Sequence, residues 1–262
     1  AIPGHEAAGI VEAIGSEVRT VAVGDAVVTC LSAFCGHCEF CVSGRMSLCL
    51  GADTRRGAGE APRITRPDGS TVGQMLNLSA FAEQMLIHEH ACVRIDPDMP
   101  LDRAAVIGCA VTTGAGTIFN ACKLTPGETV VVVGCGGVGL ATINAAKIAG
   151  AGRIIAADPI KEKRDLAIKL GATDVIDAMA DDAAQQIVEM TKGGVDHAIE
   201  AVGRLMGENR FPVDIPRLVD FYLRGLLDLD SIVAETIPLE QINEGFEKMK
   251  KGDSARSVIT FS

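Results

Sequence analysis

The run Thr129-Val130-Val131-Val132-Val133, followed at once by Gly134-Cys135-Gly136-Gly137-Val138-Gly139, constrains the fold of this 262-residue chain more than any other stretch. An unbroken β-branched run reads as a strand buried on both faces. The glycines after it match G-x-G-x-x-G, and residues 137–149 continue with helical spacing and many alanines. Strand, glycine turn and helix in that order form the dinucleotide-binding arrangement. The first glycine permits the tight turn, the second lets backbone approach a pyrophosphate, and the third lets helix and strand pack closely. The helix N-terminus then faces the phosphates with its free N–H groups.

The alternation goes on. Residues 153–157 read as a second strand and 159–170 as a helix with Pro159 at its first position, where a missing N–H costs nothing. A strand at 174–176, a helix at 181–191 and a strand at 195–202 follow. Such alternation means a parallel sheet with right-handed crossovers, a doubly wound α/β fold. It stops after Arg204, one unit early for a complete dinucleotide fold. Beyond it, residues 216–227 and 239–250 read as helices and 257–261 as a terminal strand. Ahead of it, from Ile10 to about Asp96, the pattern is short and β-like, with residues 51–71 read as a long surface loop.

Asp158 closes the second strand of the α/β half, where a carboxylate can accept from the ribose hydroxyls of NAD and repel the extra phosphate of NADP. The other reading makes it a cap for the helix that follows. Lys163, one turn on, either reaches the same ribose or is simply solvated.

Cys35, Cys38, Cys41 and Cys49 follow C-x2-C-x2-C-x7-C, with Gly36 and Gly44 supplying turns. Such spacing lets four sulfurs close a tetrahedron around Zn²⁺ with no position open to water, which is a structural site. An iron–sulfur run ends in a shorter gap followed by Pro, and disulfides conflict with a reducing compartment. His37 lies inside the cluster and reads as an exposed loop residue. Nine cysteines so distributed, four of them within fifteen residues, suit metal binding in the cytoplasm.

The formal charge of −10, the absence of Trp and the single Tyr argue against a nucleic-acid partner. No apolar run approaches the roughly 18 residues that would span a bilayer. No signal peptide is visible, and the chain opens at Ala1 without a Met, from which an upstream segment is expected.

Two modest signals complete the pattern: Gly4-His5-Glu6, and Gly108-Cys109 ahead of a Thr112-Thr113-Gly114 turn. Taken alone, His5 reads as an ordinary surface or core histidine and Cys109 as a small hydrophobe. Together with the cysteine cluster and the Gly134 turn, in this order and at these approximate spacings, they resemble the zinc-dependent medium-chain alcohol dehydrogenases. The likeness covers most of the chain. It implies a mostly β, GroES-like catalytic domain at residues 1–110, a Rossmann-type NAD-binding domain at 111–204, and a C-terminal return to the catalytic domain at 205–262.

The resemblance also implies roles. His5 and Cys109 become ligands of a catalytic zinc, with Glu6 beside the metal as a ligand that exchanges with water. Thr113 lies beside the nicotinamide, Val138 packs behind it, and Arg256 pairs with the pyrophosphate. Leu31, Met75 and Leu76 fall near positions that line the alcohol pocket, or else are plain core residues. His88 and His90 have no partner in this reading, and His197 beside Asp196 reads as structural. The implied reaction oxidises an alcohol, hydrophobic or aromatic and primary, to an aldehyde or ketone with hydride transfer to NAD. Polyols and S-hydroxymethylglutathione are the alternative substrates, and a homodimer or homotetramer is the implied assembly.

Two departures from the family pattern stand out. A further catalytic zinc ligand, a cysteine, and the hydroxyl of the proton relay belong several tens of residues ahead of the Gly-His-Glu segment. Further Rossmann strands, including an edge strand that commonly pairs across the dimer, belong between Arg204 and Leu205. A chain without these parts suggests the alternative from another class, a protein that binds NAD and zinc without catalysis.

Overall fold

The computed structural model describes residues 1–51, 54, 59–201, 206–251 and 255–261. In its first part, β1 (Ala8–Ile10) and β2 (Ala26–Thr29) join β3 (Cys92–Arg94) in an antiparallel sheet with β2 central. All four residues of β2 are buried, as a strand flanked on both sides and packed on a core must be. Between β2 and β3 the chain loops out through α1 (Glu39–Val42), within the cysteine-rich segment. Residues 52–53 and 55–58 of the expected long loop lie outside the described residues.

Two short helices lead out of the first part, α2 (Leu101–Ala104) and α3 (Ala110–Gly116). The latter holds Thr112, Thr113 and Gly114, which the sequence reading placed in a turn. Threonines and a glycine are poor helix formers, and here packing overrides propensity. A Cβ on Gly114 would stand 2.6 Å from the Val138 carbonyl oxygen, so the bare glycine lets α3 lie directly on the neighbouring helix.

That neighbour is α4 (Gly137–Ala149), which follows β4 (Thr129–Val133). The series continues through β5 (Arg153–Ala157), α5 (Lys161–Leu170), β6 (Asp174–Ile176), α6 (Ala183–Thr191) and β7 (His197–Glu200). The four strands run parallel in the order β6-β5-β4-β7, the first four positions of a 3-2-1-4-5-6 dinucleotide sheet. The direction of winding reverses between β4 and β7, so the ligand crevice opens above their carboxyl ends. Val133 ends β4 at that rim and is accordingly exposed, unlike the buried valines before it. Among the described residues β7 pairs with β4 alone. Residues 202–205, where the alternation stops, lie outside the described residues.

The remainder folds back. In α7 (Phe211–Leu223), Pro212 occupies the first turn and Pro216 the interior. The helix therefore begins five residues before the expected start, because the Asp214 carboxylate accepts the Arg210 N–H (2.8 Å) and closes the N-terminal turn. Phe211 is fully buried, and truncating such a ring costs about 3–5 kcal/mol. β8 (Glu235–Ile237) pairs in parallel with the last strand, β9 (Ser257–Ile259), and α8 (Ile242–Lys251) lies between them in sequence. Phe246 of α8 meets Phe81 with ring centroids 6.4 Å apart, tying the C-terminal segment to the first part. One apolar cluster runs from Ala26 and Val28 through Val130, Leu140 and Ile154 to Phe211 and Val258. None of the nine cysteines is joined in a disulfide. Among the described residues no single helix is long and apolar enough to cross a membrane.

Candidate active site and zinc cluster

The glycine turn forms because its residues leave room where side chains would collide. Gly134 adopts φ +94°, a left-handed conformation that costs glycine little. A Cβ on Gly139 would overlap the Gly134 carbonyl, so the helix can start tight against the strand only with hydrogen there. No side chain caps the N-terminus of α4, and its first turn carries no acidic residue. Free N–H groups and the positive end of the helix dipole therefore face the crevice.

Arg256, the residue immediately before β9, comes to this same point. Its guanidinium fills the space a Cβ on Gly137 would occupy. Its Nε is buried without a hydrogen-bond partner, and the nearest acid is Glu6 with Oε2 4.0 Å away. A buried guanidinium nitrogen left unpaired is costly. An uncapped helix end and an orphaned arginine nitrogen fit the pyrophosphate of a dinucleotide.

Asp158 is buried at the end of β5. Its Oδ2 accepts the Cys135 N–H (2.7 Å) and its Oδ1 the Ile160 N–H (2.9 Å). These bonds brace the glycine turn from below and hold Pro159 and Ile160 outside the helix, so α5 begins at Lys161 rather than Pro159. Asp158 is thus not the cap of α5, whose N-cap is Ile160 with no side-chain cap; it closes the turn ahead of the helix. Burial and the Asp158 charge push the Cys135 thiol up to about 12, while the charges of Lys163 and Arg164 act against the rise.

On the other wall, His5 and Cys109 are brought together from 104 residues apart, Nε2 to Sγ 3.3 Å. Burial foremost, and then the Glu6 charge, push the Cys109 thiol up to about 11. The Met206 thioether lies 3.9 Å from the Cys109 sulfur and 3.6 Å from the Thr113 hydroxyl. Sequence reasoning missed Met206, since nothing local in a methionine signals that neighbourhood. Glu6 points elsewhere: its Oε1 accepts the Ala110 N–H (2.7 Å) at the start of α3, and Oε2 faces Arg256. Nitrogen and sulfur donors suit zinc, but a catalytic zinc takes three protein ligands, and His5 and Cys109 supply two. Among the described residues, they and the Glu6 carboxylate do not form a three-ligand cluster.

Gly114, the residue after Thr113, lies against the Val138 carbonyl where α3 crosses α4, and Arg256 links Gly137 of the glycine turn to Glu6, the neighbour of His5. Met75 and Leu76 are exposed, so the plain-core reading fails for both; Leu31 is half-buried against the core. Leu76 and Asn77 adopt left-handed backbone (φ 53° and 60°).

The four cysteines form a cluster in space as well as in sequence. Their sulfurs all lie within 4.8 Å of one another, with Cys38–Cys41 at 3.5 Å and both Cys35–Cys41 and Cys38–Cys49 at 3.9 Å. Tetrahedral zinc with bonds of about 2.3 Å spaces its sulfurs about 3.8 Å apart. The gaps are too wide for disulfides and too narrow to enclose an iron–sulfur cluster. The N–H groups of Cys35 and Gly51 donate to the Cys49 sulfur, and that of Cys38 to the Cys35 sulfur. Backbone hydrogen bonds lower the Cys38 thiol to about 6, whereas burial raises that of Cys41 to about 12. His37 is exposed and turned to the Cys35 carbonyl oxygen. His197 pairs with Glu128 at 3.0 Å, at the foot of the sheet.

A four-sulfur zinc cluster, a glycine-turn dinucleotide crevice and a His–Cys pair between them define a zinc-binding dehydrogenase. Two family models agree: residues 1–97 match the alcohol dehydrogenase GroES-like domain and residues 137–209 the zinc-binding dehydrogenase domain. The chain is 33% identical to an S-(hydroxymethyl)glutathione dehydrogenase of Synechocystis, covering 98% of this chain and 84% of the relative. That alignment is 309 positions long against a chain of 262 residues, so the relative carries residues that this chain does not. The fold superimposes on an alcohol dehydrogenase zinc-binding domain protein from Burkholderia ambifaria, with TM-score 0.92 and 28% identity over all of this chain and 84% of the other. It also matches a benzyl alcohol dehydrogenase from Acinetobacter calcoaceticus, with TM-score 0.88 and 29% identity at the same coverage. The chain belongs to the zinc-dependent medium-chain dehydrogenase/reductase family, as an oxidoreductase of the alcohol dehydrogenase type.

Proposed function

We propose that this protein oxidises a hydrophobic or aromatic primary alcohol to its aldehyde, passing hydride to NAD. The observation that carries the reading is the seam between α3 and α4, which holds the His5–Cys109 pair beside a glycine turn crowned by Arg256. When bound, zinc supplies Lewis acidity toward an alcohol oxygen and NAD supplies the hydride acceptor.

The residues divide the remaining work. Arg256 and the α4 N-terminus take the pyrophosphate, and Asp158 with Lys163 takes the adenine ribose. Thr113 and Val138 hold the nicotinamide ring at the seam. His5 and Cys109 are ligands at the reacting end, and Glu6 is the acid that exchanges beside them. Leu31, Met75 and Leu76 offer apolar surface to the alcohol, and Leu31 leaves more room than an aromatic residue there would. We expect a cytoplasmic homodimer or homotetramer.

A second substrate is favoured by the Synechocystis relative, whose name gives S-(hydroxymethyl)glutathione. Initial rates with benzyl alcohol, a polyol and S-hydroxymethylglutathione, each with NAD and with NADP, separate the readings. Turnover of benzyl alcohol with NAD supports the proposal. Turnover only in the presence of glutathione moves the assignment to the second substrate, and NAD binding without turnover of any of them would sink the catalytic reading.

A further inference from the structure

His88 and His90 have no place in the chemistry above, yet the fold gives both a task. They flank Glu89 in a short 3-10 turn, Glu89–Ala91, immediately before β3. His90 Nδ1 lies 2.6 Å from the carbonyl oxygen of Phe34, so that nitrogen carries the proton and donates it. The imidazole also stacks on the Phe34 ring, with centroids 4.7 Å apart and planes 6° apart. His88 supports the arrangement: its Nδ1 accepts the His90 N–H (3.0 Å), and the two rings meet edge to face at 5.1 Å. Glu89 grips a different place, accepting from the N–H groups of Arg19 and Thr20 and from the Thr20 hydroxyl.

Phe34 is the residue before Cys35, the first sulfur of the zinc cluster. Cys35 in turn donates its N–H to the sulfur of Cys49, the last ligand (3.2 Å). The segment between them contains only a four-residue helix and a three-residue 3-10 turn, elements too short to hold their shape alone. The direction in which the cysteine loop leaves the sheet must be fixed from outside, and His90 does so with a hydrogen bond and a stacked ring on one residue.

We propose that His90 is a positioning residue for the structural zinc: by clamping Phe34 it holds Cys35 in the cluster and slows the opening through which the metal leaves. The inference rests on the four cysteines holding a metal, and goes beyond the catalytic reading, which it does not require.

The test uses the full chain with cobalt in place of zinc, following loss of the four-thiolate absorbance in excess chelator. His90→Ala should release metal about five- to tenfold faster than the unaltered chain, the loss of about one hydrogen bond and one stack. His90→Phe keeps the stack without the donor, and His90→Asn keeps a donor without the stack. Both should fall between, and His90→Phe preserves the bulk if the alanine variant does not fold. Glu89→Ala, which loosens the Arg19–Thr20 grip without touching Phe34, should leave release unchanged. Release from His90→Phe and His90→Asn at the unaltered rate, or equal acceleration by Glu89→Ala, would overturn the proposal. An unaltered chain showing no four-thiolate absorbance would overturn the metal reading of the cluster, and the proposal with it.

Discussion

Arg256 stands where a Cβ on Gly137 would stand, and its buried Nε has no hydrogen-bond partner. A cofactor phosphate oxygen is the natural acceptor for it. Hydrogen bonds to charged groups contribute about 1.5–3 kcal/mol, so Arg256→Ala should weaken NAD binding roughly 10- to 100-fold. Arg256→Lys should recover only part, because an ammonium cannot reproduce a planar fork. Calorimetric titration with NAD checks both, with zinc content expected to stay as it was.

The glycine turn separates stability from binding. A methyl on Gly139 collides with the Gly134 carbonyl, whereas one on Gly136 meets nothing within 4 Å. Gly139→Ala should therefore lose about 1–3 kcal/mol of stability along with cofactor binding. Gly136→Ala should keep its melting temperature yet bind NAD poorly, since its methyl projects where the pyrophosphate approaches. Thermal melts with and without NAD distinguish the two.

Metal loading of the cysteine cluster should depend steeply on pH. Cys38 is already a thiolate above about 6, but Cys41 keeps its proton up to about 12. Zinc must displace that proton anywhere in the neutral range. Affinity should thus rise by at least about tenfold per pH unit between 6.5 and 8.5, one proton being released per unit of slope. Competition with a chelator of known affinity at several pH values measures it, and a flat profile would contradict the burial of Cys41.

The parallel sheet carries its own acid sensitivity. Arg153 on β5 grips Asp174 on β6 through two bonds of 2.8 Å, and this holds the Asp174 carboxyl below its usual range. A depressed folded value means the stabilisation is complete above the unfolded value of about 3.9 and fades as pH falls through the folded one. Asp174→Asn should cost roughly 1–2 kcal/mol at pH 7 and lose less than the unaltered chain below about pH 4. Urea melts at pH 7 and pH 3 test the sign.

What the sequence disclosed was local. The strands at 129–133, 153–157 and 174–176 and the helix at 137–149 could be read because buried valines and alanine-rich spacing need no distant partner. The cysteine cluster was legible for the same reason, its ligands lying within fifteen residues. Contacts across the chain were not. Thr112 to Gly114 looked like a turn because their helix is stabilised by α4 rather than by propensity. Met206 beside Cys109, Arg256 beside Glu6 and His90 against Phe34 join residues 97, 250 and 56 positions apart, and no spacing rule reaches that far. Asp158 was legible as a choice between two roles, and its two backbone bonds go to the glycine turn and to the turn ahead of α5 rather than to the helix itself.

The α3–α4 seam has a consequence for anyone wishing to redesign the protein. Main chain meets main chain there, with a Cβ on Gly114 landing 2.6 Å from one backbone atom and 2.7 Å from another. On the proposed function, the separation between the cofactor's reactive end and the His5–Cys109 pair is therefore set by backbone, not by replaceable side chains. Substitutions at the exposed Met75 and Leu76 are, on the same proposal, the ones that would reshape what enters. The seam is a fixed ruler, and a library that randomises it should return only inactive clones.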